Sequence, residues 1–253
     1  MYTTFIIGTA GSGKSALTSK YSDWLKMKDQ YVITVNLDPG ALNLPYAPDI
    51  DICDHVSIYD LMEKYNLGPN GAMILAADLI ADQIPDIKKI IDDYNADYVI
   101  VDTPGQMELF AFRQSGPYIA NELTDSEKAI LYLFDAAFSN DPLNYVSNMF
   151  LATAVYHRFL IPQVHLLSKS DLVSKQDLKK IMHWGSDIRS LNLALEAQVS
   201  EMRRVLSIDI ADAINRIGLT FSPIAISSKI DAGFINLHAA LTRIFSGGEE
   251  VTN

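Results

Sequence analysis

Near the start of the chain, Gly8-Thr9-Ala10-Gly11-Ser12-Gly13-Lys14-Ser15 has the form G-x-x-x-x-G-K-[ST], a spacing suited to holding a polyphosphate. Glycines let the backbone wrap an anion with its N–H groups turned inward, in conformations that a Cβ obstructs. A helix opening at the end of such a loop adds a field that favours negative charge. On this reading Gly11, Ser12, Gly13, Lys14, Ser15 and Ala16 contact the phosphates of a nucleotide. Lys14 reaches the β- and γ-phosphates, and the Ser15 hydroxyl joins the shell of a Mg2+ ion.

A carboxylate that could hold the same ion follows the apolar run Tyr98-Val99-Ile100-Val101, in the sequence Asp102-Thr103-Pro104-Gly105-Gln106. Ligands of parallel sheets bind at the carboxyl ends of strands, so Asp102 is expected beside the phosphate loop as a Mg2+ carboxylate. Gly105 is placed to offer its N–H to a γ-phosphate, and Gln106 to orient an attacking water. Asp38-Pro39 ends another apolar run and leaves two readings open. Asp38 holds metal-bound or nucleophilic water, or it forms an ordinary Asp-Pro turn.

Two later loops have the residue types of a base pocket. Ser168-Lys169-Ser170-Asp171 follows the run Gln163–Leu167 and is close to the N-K-x-D of guanine-reading sites, with Ser168 in place of Asn. A carboxylate at Asp171 accepts from the guanine N1–H and exocyclic amine, whereas adenine leaves it unpaired, and that penalty discriminates the bases. The Lys169 stem packs on the base ring, and Ser168 is expected to make shortened or water-mediated versions of the Asn contacts. Ser227-Ser228-Lys229 follows the final apolar run and offers its backbone to the base O6.

These loops need a scaffold that brings them to one edge. The apolar runs Thr3–Ile7, Tyr31–Leu37, Tyr98–Val101, Ala129–Phe134, Gln163–Leu167 and Thr220–Ala225 are near-continuous, as in strands buried on both faces of a parallel sheet. Helical spacing of Leu17, Tyr21, Trp24 and Leu25 predicts a crossover helix over 15–28. Ser57 is a predicted helix cap, 71–94 a helix with Pro85 as its kink point, and Tyr145–Phe159 a core helix. A helical insertion is predicted over 175–217, before the last strand. Its stripe of Leu191, Leu193, Leu195, Val199, Met202 and Val205 reads either as core or as an exposed groove for a client helix or peptide. The expected architecture is a P-loop α/β domain over residues 1–245, with a mostly parallel central sheet flanked by helices and a flexible tail at 246–253.

Composition narrows the function classes. The 253 residues carry 20 Lys plus Arg against 31 Asp plus Glu, a formal charge of −11 that argues against direct nucleic-acid binding. No apolar run reaches the roughly 20 residues of a bilayer span, and no secretory leader is evident. Cys53 has no second cysteine to pair with, which fits a reducing, cytoplasmic setting. His157 and His165 have no partner at metal-binding spacing and read as packing or surface residues.

With these motifs assembled, the chain resembles the GPN-loop GTPases, and more closely the compact archaeal members than the eukaryotic ones, which carry a longer acidic tail. The tripeptide Gly68-Pro69-Asn70, by itself only a turn signal, is what names that family. The resemblance implies GTP/GDP and Mg2+ as ligands and a homodimer in which each GPN loop enters the partner's site. It also implies Lys14, Asp38, Asp102 and Gln106 as the catalytic set, with Asn70 acting in trans. Eukaryotic relatives assist RNA polymerase assembly, and a comparable protein client is expected here only by analogy.

Two other classes stay open from sequence. A P-loop kinase would use an Arg-rich lid, for which Arg189, Arg203 and Arg204 of the insertion are candidates, and a non-hydrolysing scaffold would bind nucleotide without turnover. Arg113 reads as a surface charge rather than an arginine finger.

Overall fold

The structure is a computed structural model that describes residues 1–198, 201–218 and 221–247. Its strands are β1 (Tyr2–Gly8), β2 (Val32–Asn36), β3 (Ile50–Asp51), β4 (Tyr98–Asp102), β5 (Glu127–Asp135), β6 (Gln163–Ser168) and β7 (Ile224–Ala225). They form one sheet in the order β3-β2-β4-β1-β5-β6-β7. Every pairing is parallel, so the expected mostly parallel sheet is wholly parallel among the described strands. The helices are α1 (Lys14–Lys26), α2 (Ile58–Tyr65), α3 (Pro69–Tyr94), α4 (Met107–Ala111), α5 (Ser115–Glu122), α6 (Pro142–Phe159), α7 (Lys175–Ser186), α8 (Ile188–Gln198), α9 (Glu201–Arg216) and α10 (Phe234–Phe245).

The central strands are mostly apolar because each face meets helices. Successive side chains of a strand point to opposite faces. Phe5 and Ile7 therefore join Val99, Val101, Ile130 and Tyr132 under α3 and α6, whereas Ile6 joins Ile100, Leu131 and Leu133 under α1 and α10. Helix α3 supplies Ala72, Ala76, Ile80, Ile84, Ile87 and Ile91, all buried, one turn apart along a single stripe. The opposite layer contributes Leu17, Tyr21 and Leu25 of α1 and Phe234, Leu237 and Leu241 of α10.

Local chemistry sets the helix starts. Ser57 accepts from Asp60 N–H at α2, Asp141 accepts from Leu143 and Asn144 N–H at α6, and Ser174 accepts from Asp177 N–H at α7. Pro69 occupies the first turn of α3, where a missing N–H costs nothing, so that helix begins two residues before the expected Gly71 and runs through Pro85.

Several expected boundaries shift. Strand β3 has no apolar run to announce it, since two residues in an Asp-rich stretch complete the sheet edge beside β2. The last predicted strand shrinks to Ile224–Ala225, and its first residue, Thr220, lies outside the described residues. Helices α7, α8 and α9 occupy the predicted insertion. Within its stripe, Leu191 and Leu195 are core while Leu193, Met202 and Val205 are exposed; Val199 lies outside the described residues. A groove of about 490 Å3 runs between α6 and α9, lined by Leu143, Val146, Phe150, Leu206 and Ile210. Of the predicted tail, 248–253 lie outside the described residues. No described helix is long and apolar enough to cross a membrane.

The sheet's register is what serves the site. Asp102, the last residue of β4, pairs with Ile6 of β1 on one side and Asn36 of β2 on the other. The loops after β1, β2 and β4 therefore leave the sheet side by side. Beyond β1, Asp135 at the end of β5 pairs with Ser168 at the end of β6.

Leu131 sits in the middle of β5 with no exposed surface, between β1 and β6. Leu131→Ala is expected to cost about 2–5 kcal/mol in urea unfolding. A loss below about 1 kcal/mol would mean that this strand is not packed as described.

Candidate functional site

The loop after β1 closes on itself before α1 begins. Ser12 N–H donates to Thr9 O at 3.1 Å, and Gly13 takes a left-handed φ of 96° as it hands the chain to α1. A side chain at Gly13 would be strained by that angle. Gly8 is required for a different reason, since a Cβ there would lie 2.7 Å from Ser12 Oγ and 3.0 Å from Leu133 Cβ. The loop is thereby pressed against β5.

Lys14 is only 6% exposed. Its ammonium donates to Gly8 O at 3.1 Å, Thr9 O at 3.3 Å and Gly105 O at 3.3 Å. Burial lowers its pKa, opposed by the nearby carboxylates of Asp102, Asp38 and Glu108. Those charges favour the ammonium form in a site that would otherwise disfavour it.

Asp102 is 1% exposed, and burial pushes its carboxyl up to about 6, against the pull of the Ser15 and Tyr46 hydroxyls and of Lys14. Its Oδ2 accepts from the Tyr46 hydroxyl at 3.1 Å, while Oδ1 is buried with no hydrogen-bond partner. A buried carboxylate oxygen without a donor is costly unless a cation completes it. With the Ser15 hydroxyl beside the same carboxylate, the donors are all oxygen, as a Mg2+ ion requires. Among the described residues no group of three or more His, Cys, Asp or Glu is arranged for a metal. That sparse protein set fits Mg2+, which takes one or two carboxylates and completes its shell with phosphates and water.

Of the two readings left open for Asp38, the structure shows the turn, and the second carboxylate oxygen is engaged by another loop. Asp38 Oδ1 accepts from Gly40 N–H at 3.0 Å, the turn expected of Asp-Pro-Gly. Its Oδ2 accepts from Gly105 N–H at 2.8 Å, which joins the loop after β2 to the loop after β4. Gly105, expected to offer its N–H to a phosphate, has that N–H engaged by Asp38 in this structure. Asn36, fully buried, holds the Asp38 main chain: its Oδ1 accepts from Asp38 N–H at 3.0 Å and its Nδ2 donates to Asp38 O at 3.2 Å. Thr103 Oγ1 donates to Ile6 O at 2.6 Å and ties the β4 loop to β1.

Next to the phosphate loop lies a pocket of about 230 Å3 whose wall includes Ser12, Gly13, Ala16, Lys169, Asp171 and Lys229. Ser168 and Ser228 line it as well. Ser168 Oγ lies 2.8 Å from Ser12 O and 3.2 Å from Phe134 O. One hydroxyl proton serves these two carbonyls, so the base loop is pinned to the phosphate loop. Lys169 takes a left-handed φ of 55°, and its ammonium pairs with Asp135 Oδ2 at 2.7 Å. The Ser227 hydroxyl donates to Asp171 Oδ1 at 2.6 Å. That bond is the main cause of the lowered Asp171 pKa, with Lys229 adding to it.

The structure thus brings Lys14, Ser15, Asp38, Asp102 and Gly105 together, and gathers the base-loop residues around one adjoining pocket. It does not bring in the rest. Gln106 is exposed, and its side chain caps nothing in α4. Gly68, Pro69 and Asn70 are exposed at the start of α3, and among the described residues they make no hydrogen bond to the phosphate loop. Arg113 forms a two-pronged pair with Asp78 at the surface, at 2.7 Å and 3.4 Å. Arg203 lines the α6–α9 groove. His157 is exposed, and His165 stacks on Phe221 with ring centroids 4.4 Å apart. Tyr46 and Asn36 escaped the sequence reading. Pro45-Tyr46-Ala47-Pro48 reads as a plain loop, and Asn36 is hidden inside a strand pattern.

The comparisons bear on the family and the fold. A family model described as a conserved hypothetical ATP binding protein matches residues 6–247. GPN-loop GTPase PAB0955 of Pyrococcus abyssi is 30% identical over 234 residues, covering 91% of this chain and 92% of its own. GPN-loop GTPase QQT2 of Arabidopsis thaliana and GPN-loop GTPase 1 of Saccharomyces cerevisiae are each 31% identical over 77% of the chain. The chain spans about half the length of those two relatives, 52% and 50%. The crystal structure of the Pyrococcus abyssi protein, described as a GTPase in apo form, superposes with a TM-score of 0.86 at 28% identity, over 96% of this chain and 97% of that one.

Because its pKa is raised to about 6, the folded chain holds the Asp102 proton more tightly than the unfolded chain does. The group therefore favours folding at low pH, and that contribution is lost as the pH rises through about 6. In buffer free of divalent cations, Asp102→Asn is expected to gain on the parent protein, on the order of 2 kcal/mol, between about pH 4 and about pH 7.5. A difference that stays flat across that interval in thermal melts would contradict the raised carboxyl.

Proposed function

The chain belongs to the GPN-loop GTPase family, and on that premise we propose that it is a homodimeric, Mg2+-dependent GTP hydrolase whose cycle drives a conformational change acting on a protein client. The observation that carries the nucleotide assignment is Asp171. Its carboxylate, held by Ser227 at 2.6 Å, stands in the wall of a pocket that begins at the phosphate loop. A carboxylate there rewards the two donors of guanine and is left unpaired by adenine.

The residues divide the work as follows. The phosphate-loop N–H groups and Lys14 hold the phosphates and offset charge on the transferring phosphoryl oxygens. To do so the Lys14 ammonium leaves the carbonyls of Gly8, Thr9 and Gly105 that it now bonds. Ser15 and Asp102 would hold Mg2+, which would offset the negative charge of the phosphates. A γ-phosphate competes with Asp38 for the Gly105 N–H, and its arrival frees the Asp38 carboxylate to orient water with Gln106. Loss of the γ-phosphate returns Gly105 to Asp38. The loops after β2 and β4 thereby report the state of the nucleotide.

Gly68, Pro69 and Asn70 enter this scheme from a second copy. Their position supports it: the tripeptide is exposed, and α3 starts with no side-chain cap, so its first N–H groups and the positive end of a 26-residue helix are available to an anion. Asn70 of one subunit then closes the site of the other.

Two experiments test this reading. Asn70→Ala and Lys14→Ala proteins, each nearly inactive alone, are expected to regain about a quarter of parental GTP turnover when equal amounts are mixed and allowed to exchange, because half the dimers then hold one intact site. No recovery on mixing would show that Asn70 serves its own subunit or none. Asp171→Asn is expected to exchange preference for GTP for preference for a xanthine nucleotide, by about tenfold or more in kcat/KM. Unaltered guanine preference would overturn the base assignment.

A further inference from the structure

We infer that Tyr46 is a positioning residue for the metal-binding carboxylate, and that it links the loading of Asp102 to the loop joining β2 and β3. The inference rests on the reading of Asp102 as a Mg2+ ligand.

The two oxygens of Asp102 are in different circumstances. Oδ2 is taken by the Tyr46 hydroxyl at 3.1 Å, and Oδ1 is buried and without a donor. A carboxylate on a single-bond stem rotates unless something holds one oxygen. The phenol holds one oxygen, which leaves the other for a cation. Outer partners of this kind orient metal-binding carboxylates, and their removal typically weakens metal binding by about 10–100-fold.

Tyr46 can hold its place because its loop is tied down on both sides. Asp49 Oδ2 accepts from Thr34 N–H at 2.7 Å and from Thr34 Oγ1 at 3.0 Å, while Asp49 N–H donates to Thr34 O at 3.0 Å. Pro45 O accepts from the Ser19 hydroxyl of α1 at 3.3 Å. Proline at 45 and at 48 narrows the backbone around the tyrosine. The half-buried ring would pack equally well as phenylalanine, so the hydroxyl has no packing role to explain it. Burial and the Asp102 charge raise the phenol pKa well above its ordinary value, so the group stays a proton donor throughout the physiological range. The same loop begins at Asp38, which holds Gly105. Tyr46 and Asp38 therefore attach one segment to both the metal carboxylate and the β4 loop.

The test uses Tyr46→Phe, which removes one oxygen and keeps the ring. Release of a fluorescently labelled GDP is followed against Mg2+ concentration, together with hydrogen exchange of the amides in 41–49. The half-saturating Mg2+ is expected to rise about tenfold, with affinity for the labelled GDP in EDTA unchanged. Protection of the 41–49 amides by Mg2+ and GDP, seen in the parent, is expected to be lost. Asp102→Ala serves as the reference. If Asp102→Ala loses its Mg2+ response while Tyr46→Phe follows the parent curve, the inference about Tyr46 fails alone. If the parent does not bind the labelled GDP, or Asp102→Ala keeps the parent's Mg2+ curve, the reading of the site fails and the inference falls with it.

Discussion

A carboxylate buried at the end of a central strand is the constraint around which the rest of this structure is arranged. Asp102 is 1% exposed and carries one oxygen with no donor. An isolated ion in such a place is untenable, so cations and hydroxyls must converge on it. Lys14, Ser15 and Tyr46 do so, from α1 and from the β2–β3 loop. They can reach it because parallel pairing aligns Ile6, Asn36 and Asp102 in one row, so β2 and β4 end together and β1 ends two residues further on, at Gly8. Stability and site are therefore opposed at this residue. The apolar layers on both faces of the sheet are what hold a costly charge in place.

Gly105 is the second pivot, and it acts through its backbone alone. Its N–H is held by Asp38 and its carbonyl by Lys14. Both are contacts that a bound triphosphate would contest. In this way the phosphate loop, the loop after β2 and the loop after β4 share one small hydrogen-bond network, and a change at any member is felt by the others. On the base side, Ser168 ties the S-K-S-D loop to the phosphate loop through Ser12 O. Ser168 makes that tether with one hydroxyl proton near two carbonyls.

Much of this was legible in the residues because the signals were local. The phosphate loop, the apolar strands and the S-K-S-D and S-S-K loops each declare themselves within a few positions, and parallel-sheet geometry then gathers them. The helical insertion was visible as a long stretch without strand pattern. What stayed hidden depends on contacts distant in the chain. Tyr46 meets Asp102 across 56 residues, and Gly105 meets Asp38 across 67, from loops whose composition shows only turn chemistry. Strand β3 was invisible because two residues carry no periodicity. The α2–α3 junction was readable only as a turn, although Gly68 and Pro69 are the cap and first residue of a 26-residue helix. The stripe in the insertion divided between core and surface because adjacent leucines on a helix face opposite ways, Leu191 inward and Leu193 outward.

The measurement that bears most directly on the account is release of inorganic phosphate from GTP and from ATP by the purified chain, with and without Mg2+. A family description that speaks of ATP and relatives that are named GTPases make the choice of base informative. The account predicts Mg2+-dependent release from GTP, at least about tenfold more efficient than from ATP, because only guanine satisfies the Asp171 carboxylate. Equal or faster release from ATP, or release from neither nucleotide, would contradict it.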